Sequence, residues 1–127
     1  GEPWRSKSCI SHMFTQHGRC IMLSEGMLLR IYIAESARIG KKPAYKHLVE
    51  MFKERGFPGC TVFRGMVGFG HEQTIHTVDV LNFSLDLPVV IDVVDTKERV
   101  LGIVEEVQGM VEHGLVITQD VMMGRKG

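Results

Sequence analysis

The sequence predicts one α+β domain in which two helices cover one face of an antiparallel sheet. The chain has 127 residues, 44% of them hydrophobic, and segments of strand periodicity alternate with segments of helical periodicity. This length suits one domain with a modest core and is too short for two. No apolar run approaches the roughly 18 residues that a membrane-spanning helix needs, so we expect no direct insertion into a membrane.

The predicted order of elements after residue 26 is strand, helix, strand, strand, helix, strand. Alternating apolar residues indicate the strands, and apolar residues three and four apart indicate the helices. Between the second and third strands, Ile75–Phe83 is predicted as an extended arm. The other predicted elements are Leu28–Ala34, the helix Pro43–Arg55, Cys60–Arg64, Pro88–Val94, a second helix that Gly114 ends, and Leu115–Met122.

Both helices are bounded by residue types that begin and end helices. Pro43 stands at the start of the first helix, and Gly56 followed by Pro58 is a stop signal. Asp95, with Glu98 three residues later, resembles a capping box for the second helix. These residue types therefore predict where both helices begin and where the first helix ends.

The resulting order, βαββαβ, is that of a ferredoxin-like fold. In that arrangement both helices pack on one face of the sheet and leave the other face uncovered. Both faces of Pro88–Val94 are largely apolar. We therefore predict that the second face is buried between subunits of an oligomer.

Residues 1–26 differ from the rest of the chain. They mix Cys, His, Ser and Gly without sustained periodicity, and they lack the long apolar segment of a signal peptide. We interpret 1–26 as an N-terminal extension, mobile or non-native, and 27–127 as the folded domain. Met22 and Met27 are alternative true starts.

Charge and cysteine content narrow the function classes. Net charge is zero, but residues 1–64 carry 11 Lys/Arg against 5 Asp/Glu, and residues 65–127 carry 4 against 10. Neither half is basic enough to predict nucleic-acid binding. The three cysteines (Cys9, Cys20 and Cys60) form no metal-binding pattern, and their odd number favours a reducing cytoplasm over a disulfide framework.

A glycine-rich segment, Arg64–Gly70, directly follows the second predicted strand. Its three glycines permit positive φ and let backbone N–H groups approach an anion such as phosphate. The segment is neither a Walker A loop nor a dinucleotide fingerprint, since no helix follows it. A wide hairpin with glycine kinks is an equal alternative on local sequence alone.

Longer stretches around this loop resemble a known family. Gly59-Cys60-Thr61-Val62 with Gly68-Phe69-Gly70, and the run from Asp86-Leu87-Pro88 to Asp95, resemble nitrogen-regulatory PII proteins. Thr61–Gly65, His76-Thr77 and Ser84–Pro88 resemble, more closely, an uncharacterised PII-like family of small bacterial and archaeal proteins. The resemblance covers nearly the whole chain after Met27.

This resemblance implies a cytoplasmic, non-enzymatic signalling homotrimer with ligand clefts between its subunits. An adenine nucleotide is the implied ligand, and the loop 66–82 is the implied contact with a regulated protein, such as a membrane transporter. Carried over by motif, the ligand-binding residues are Ile33, Thr61, Gly68, Phe69 and Gly70, and Gly65 of the glycine-rich segment is predicted to bind with them. Residues that could supply positive charge are Arg64, Lys41, Lys42, Arg125 and Lys126. Solvated surface lysines and a strand-edge salt bridge of Arg64 are the simpler alternatives.

The sequence departs from PII proteins in ways that bear on the ligand. One residue is inserted before Gly68-Phe69-Gly70, and the PII phosphate loop Gly-Asp-Gly-Lys is shortened to Glu112-His113-Gly114-Leu115. Leu115 replaces the lysine that would hold phosphates, so ADP or AMP is expected rather than ATP, with a cyclic nucleotide or small anion as further options. The uridylylated tyrosine of PII has no counterpart, since Tyr32 and Tyr45 lie in regular elements.

The sequence is compatible with two other function classes. His71 and His76, with nearby carboxylates, could bind zinc or copper in a CutA-like metal-binding trimer, although their spacing matches no established site. An oligomer without a ligand is a third alternative. No nucleophile–base pair predicts an enzyme, and the aromatic strand motif of ferredoxin-like RNA binders is missing.

Overall fold

The computed structural model describes residues 11–70, 75–77 and 86–124. Its two helices are α1 (Ala44–Glu54) and α2 (Lys97–Met110). No helix in these ranges is long and apolar enough to cross a membrane. The strands are β1 (Ser11–Gln16), β2 (Arg19–Ala34), β3 (Arg38–Ile39), β4 (Lys42–Pro43), β5 (Thr61–Arg64), β6 (Val67–Gly68), β7 (His76–Thr77), β8 (Pro88–Asp95) and β9 (Leu115–Met123).

The main sheet confirms the predicted ferredoxin-like topology. β2 pairs with β8 on one edge and with β9 on the other, and β5 pairs with β8, so the strands lie in the order β9-β2-β8-β5. Every one of these pairings is antiparallel. The strands that begin and end the predicted βαββαβ unit, β2 and β9, therefore lie side by side, and the two middle strands follow on the far side of β2.

One face of this sheet carries the hydrophobic core. Leu29 and Ile31 of β2, and Ile91 of β8, are fully buried against the two helices. Phe52 of α1 and Val107 of α2 are equally inaccessible. Strand alternation puts these strand residues on one side because side chains point to opposite faces at successive positions. The apolar alternation predicted for β2 is confirmed.

The opposite face, which we call the open face, is only partly covered. It is formed by Leu28, Arg30 and Tyr32 of β2 and by their cross-strand neighbours Val90, Asp92 and Val94 of β8. Phe63 of β5 pairs with Val90 and is 53% exposed. Arg30 donates two hydrogen bonds of 2.7 Å to the Asp92 carboxylate. The open face thus places an ion pair in a largely apolar surface, with Thr61 of β5 opposite Asp92.

Helix α1 ends in a Schellman motif around Gly56, as the stop signal predicts. Gly56 has φ +77°. Its N–H donates to the Lys53 carbonyl (3.1 Å), and the Phe57 N–H donates to the Phe52 carbonyl (3.0 Å). The rings of Phe52 and Phe57 meet edge to face at 5.3 Å. Glycine adopts this left-handed conformation at low cost, and the apolar contact closes the motif.

The capping of α2 differs from the prediction. The N-cap is Thr96, whose hydroxyl accepts a bond from the Arg99 N–H (3.4 Å). Asp95 is instead the last residue of β8, and its carboxylate is fully buried, where it accepts from the Thr96 N–H (2.7 Å). The capping-box prediction was wrong by one residue because Thr and Asp are both good N-caps, and the length of β8 chose between them.

The structure also extends the sheet into residues predicted to lie outside the fold. β1 pairs with residues 19–24 of β2, and Ser24 pairs with Met123 of β9. Residues 11–24, which lie in the predicted extension, form a hairpin with a tight turn at His17 and Gly18, both at positive φ. The interpretation of 1–26 as a mobile extension stays a prediction. Whether 1–26 belong to the native protein stays a prediction.

The predicted arm Ile75–Phe83 falls mostly outside the described residues. Of this arm the structure describes residues 75–77, and His76–Thr77 pairs with Val67–Gly68 as a short antiparallel ladder. The segment that follows Gly65 thus folds back on itself beside the main sheet. Ile75, Met66 and Val67 are more than half exposed on it.

Candidate functional site

An open cleft of about 660 Å³ lies at the end of β2, where three connections meet. These are the segment between β2 and α1, the glycine-rich segment after β5, and the turn between α2 and β9. Ile33, Gly68, Phe69 and Gly70, which were predicted as ligand residues, all line it. Other lining residues include Tyr32, Ser36, Arg38, Ala44, Asp86, Pro88, Met110, Glu112, His113 and Leu115.

The glycine-rich segment is held against the start of β8 by Pro88. The Gly65 N–H donates to the Pro88 carbonyl at 2.7 Å. A Cβ on Gly65 would lie 2.6 Å from Pro88 Cγ, and a Cβ on Gly68 would lie 3.1 Å from the same atom. A Cβ on Gly70 would meet nothing within 4 Å. Gly65 and Gly68 therefore serve close packing, whereas Gly70 leaves open space beside the cleft.

The turn after α2 forms the opposite wall. His113 takes up positive φ (+60°), and a Cβ on Gly114 would lie 3.0 Å from Ile33 and 3.1 Å from the Tyr32 carbonyl. Glycine at 114 thus lets the turn approach the end of β2 closely. This is the segment that the sequence comparison with PII proteins identified as a shortened phosphate loop, and it does line the cleft.

A short segment after β2 ties together both flanks of the glycine-rich loop. The Glu35 carboxylate pairs with Arg64 (2.8 Å), the last residue before the loop. The Ser36 N–H and hydroxyl donate to the two Asp86 carboxylate oxygens at 2.9 Å and 2.8 Å. The Glu35 N–H donates to the Leu87 carbonyl at 2.9 Å. One ion pair and three hydrogen bonds therefore connect this wall of the cleft to the residues that precede and follow the loop 66–82.

Arg38 is a cation of the cleft that sequence reasoning missed. It lies on the β3–β4 hairpin, and its guanidinium donates to the Lys41 carbonyl at 2.9 Å. The signal was available, because eight residues separate Ala34 from Pro43, and the stretch contains Gly40 at positive φ (+63°). A connection of this length has room to build a wall of its own.

Several residues predicted at the site lie elsewhere in the single chain. Lys42 pairs with Glu50 of α1 (2.6 Å), which lowers the pKa of that carboxyl by charge-assisted hydrogen bonding. Thr61 lies on the open face opposite Asp92. Neither of these, nor Lys41 or Arg64, lines the cleft. The strand-edge salt bridge that was the alternative for Arg64 is present, and Arg125 and Lys126 lie outside the described residues.

The alternative metal site finds no support. Within residues 11–70, 75–77 and 86–124, no three His, Cys, Asp or Glu side chains are grouped so that they could hold a metal ion. His71 lies outside the described residues, and so does the side chain of His76. The one described cysteine side chain, Cys60, is half-buried, and burial together with Asp92 raises its pKa to about 11.

Solved structures with a similar fold are PII-like proteins. The chain matches a nitrogen regulatory PII-like protein, CPII, from Thiomonas intermedia K12, in a structure bound to ADP, AMP and bicarbonate. That match has a TM-score of 0.62 at 22% identity, covering 83% of this chain and 93% of the other. The same protein bound to ADP and bicarbonate matches with a TM-score of 0.59 at 20% identity, over 83% and 94%.

Relatives in sequence are uncharacterised proteins. A UPF0166 protein of Aquifex aeolicus is 38% identical over 94 residues, which is 74% of this chain and 89% of the relative. A UPF0166 protein of Methanocaldococcus jannaschii is 30% identical over 94 residues, 73% of this chain and 86% of the relative. Residues 26–123 match the model of the family DUF190 (Uncharacterized ACR, COG1993). This chain therefore belongs to the DUF190 family, and its fold is that of PII-like proteins.

Proposed function

We propose that this protein is a PII-like regulatory protein, not an enzyme, and that it binds an adenine nucleotide in the cleft at the end of β2. The single observation that carries the proposal is the convergence of Gly68-Phe69-Gly70, Ile33 and the turn 111–114 around one cleft. Its volume of about 660 Å³ lies in the range of small-molecule sites. One similar solved structure holds ADP, AMP and bicarbonate and another holds ADP and bicarbonate, which supports the same ligand class here.

The charges of the cleft favour AMP or ADP over ATP. Arg38 and His113 are its basic lining residues, and Asp86 and Glu112 are its acidic ones. Positive charge therefore does not exceed negative charge, so each added phosphate lacks a further cation to compensate it. Leu115 also replaces the lysine of the PII phosphate loop. The apolar end of β2 at Ile33, which lines the cleft although it is 6% exposed, and the exposed ring of Phe69 suit a flat base instead.

A homotrimer is part of the proposal, because the open face needs a cover. Leu28, Tyr32, Val90 and Val94 lie there side by side, and Phe63 adds a half-exposed ring. Contiguous apolar surface of this kind is typical of protein interfaces. In a trimer, the cleft would lie beside a neighbouring subunit, which could bring basic residues such as Lys41, Lys42 or Arg64 to the ligand.

The loop 66–82 is the proposed contact with a regulated protein, in the cytoplasm. Its described part exposes Met66, Val67, Phe69 and Ile75, each with more than half of its surface accessible. Phe69 also lines the cleft, so a bound nucleotide and a bound partner would touch neighbouring residues. Such coupling requires the nucleotide to bind with different affinity when the partner is present.

The proposal is tested by titration calorimetry of the full chain with AMP, ADP, ATP and cyclic AMP. We expect binding of AMP or ADP that is stronger than binding of ATP. Gly70→Ala, which places a methyl group in open space beside the cleft, should weaken binding at least tenfold without loss of stability. Gly102→Ala on α2 is the matched control, since its Cβ is equally unobstructed and lies away from the cleft. Absence of heat with every nucleotide would disprove the proposal.

A further inference from the structure

Asp86 has a place in the cleft that the proposed function does not yet use. It lines the cleft together with Ser36, and Ser36 fixes its carboxylate from two directions. The Ser36 N–H donates to Oδ1 at 2.9 Å, and the Ser36 hydroxyl donates to Oδ2 at 2.8 Å. Both carboxylate oxygens are thereby held in one orientation at the cleft wall.

The chemistry of this carboxylate defines what it can bind. An ionised carboxylate only accepts hydrogen bonds and has about four lone-pair sites, so Ser36 leaves acceptor capacity on both oxygens. Its negative charge repels phosphate but attracts hydroxyl donors. Two oxygens of one fixed carboxylate match two neighbouring hydroxyl groups, and carboxylates bind ribose in this way in dinucleotide-binding folds. Asp86 is therefore suited to a sugar and not to a phosphate.

Other groups in the cleft fit this assignment. Phe69 and Ile33 offer apolar surface for a base, and Arg38 offers charge for a phosphate. Glu112, the other lining carboxylate, has a side chain that is 90% exposed, and it faces His113 at 3.8 Å, which is longer than a hydrogen bond. Asp86 is the lining carboxylate that a defined pair of donors holds in place.

We propose that Asp86, positioned by Ser36, binds the 2′ and 3′ hydroxyls of the ribose and so determines specificity for ribonucleotides with both hydroxyls free. This inference rests on the proposed function and deepens it. Nucleotides that lack one hydroxyl leave one carboxylate oxygen without its donor. A 3′,5′-cyclic nucleotide has no free 3′ hydroxyl and is rejected for the same reason.

The test compares AMP with 2′-deoxy-AMP, 3′-deoxy-AMP and cyclic AMP by calorimetry on the full chain. We expect AMP to bind about tenfold or more tightly than each analogue, since a bond to a charged group is among the stronger hydrogen bonds. Asp86→Asn keeps the shape, and its amide oxygen can still accept from the Ser36 N–H, but its NH2 group can only donate, so the Ser36 hydroxyl must become the acceptor of that contact. The variant thereby loses the charge and one acceptor oxygen, and the preference for AMP should fall to about twofold or less. Asp120→Asn is the control, because Asp120 is an exposed carboxylate of β9 outside the cleft.

Each outcome decides the assignment. Equal binding of AMP and both deoxy analogues to the unaltered protein overturns it while leaving the proposed function intact, and this measurement needs no variant that might misfold. A preference that persists in Asp86→Asn also overturns it and leaves Asp86 as a latch for the loop. No binding of any nucleotide overturns the assignment and the proposed function together.

Discussion

The two faces of the sheet are built from the same strands but differ in completeness. On the helix-covered face, Leu29, Ile31 and Ile91 are fully buried within one chain. On the open face, the alternate residues of the same strands are half-exposed, and the Arg30–Asp92 pair lies among apolar neighbours, with side chains 35% and 18% exposed. A single chain therefore buries the helix-covered face but leaves the open face partly exposed to solvent.

This difference separates folding from assembly. The helix-covered face supplies most of the apolar burial, which is the main favourable term in folding. The open face contributes less to the single chain, and we expect it to act when subunits meet. Substitutions on the helix-covered face should therefore lower the free energy of unfolding, whereas substitutions on the open face should weaken assembly.

The largest effect is expected for a cavity in the helix-covered face. Ile31→Ala removes a fully buried side chain, and such truncations cost about 2–5 kcal/mol of unfolding free energy. Urea denaturation followed by circular dichroism measures this. Leu101→Ala on the outer side of α2, where Leu101 is 51% exposed, should cost about 0.5 kcal/mol or less. Equal losses in the two variants would contradict the division between the faces.

A charge on the open face should abolish assembly and spare the fold. Val90→Asp places a carboxylate at the centre of the proposed interface, where its desolvation would be uncompensated. We expect sedimentation velocity to show that Val90→Asp is a monomer and that Leu101→Asp remains a trimer. The far-ultraviolet circular dichroism spectrum of Val90→Asp should be unchanged. A Val90→Asp trimer, or a monomeric unaltered protein, would remove the open face as the interface.

The Arg30–Asp92 pair sharpens the comparison, since it is the charged part of the open face. Asp92 raises the pKa of Arg30 by accepting its hydrogen bonds. Asp92→Asn leaves a cation in an interface and should weaken trimerisation about tenfold or more, because removing one partner of a buried pair costs more than removing both. The double variant Arg30→Met, Asp92→Leu should assemble within about threefold of the unaltered protein. Concentration-dependent sedimentation distinguishes the two.

The smallest expected effect is on the reactivity of Cys60, which packs against the core. Burial, with a contribution from Asp92, raises the pKa of its thiol to about 11. Only the thiolate reacts with alkylating reagents, so the labelling rate should keep rising above pH 9 and should reach half its maximum only near pH 11. Iodoacetamide labelling of a Cys9→Ser, Cys20→Ser variant measures it. A rate that is half-maximal near pH 9 would place the thiol in water.

The strands and helices could largely be predicted from sequence, because local periodicity carries the information. The Pro43 and Gly56 boundaries of α1 were predicted within one residue, since these residue types restrict φ directly. The Asp95 cap was misplaced because two adjacent residues compete for one role. The hairpin of residues 11–24 has a local turn at His17 and Gly18, and it was missed because its sequence shows no sustained periodicity. Its pairing with β9, as between Ser24 and Met123, depends on a partner distant in sequence, which periodicity does not report.

The candidate site divides in the same way. Gly68-Phe69-Gly70 could be named from a motif, and Gly114 from its place in a shortened loop. Arg38 was not named, because the length of its connection indicates a wall but does not show which side chain reaches the cleft, which depends on the path of the β3–β4 hairpin. Ser36 and Asp86 are fifty residues apart and meet only after the sheet forms. A motif identifies backbone that can approach a ligand, while convergence of side chains is a property of the fold.

The sequence by itself determined the βαββαβ order, the apolar residues of the strands and helices that face the core, and the family. These depend on residue type and spacing along the chain. The tertiary structure decided which charges reach the cleft and which are used elsewhere. Arg64 and Lys42 are paired with Glu35 and Glu50, whereas Arg38 lines the cleft. The physical reason is that an ion pair or a cleft wall needs groups a few ångströms apart, and that distance is set by strand register and loop path.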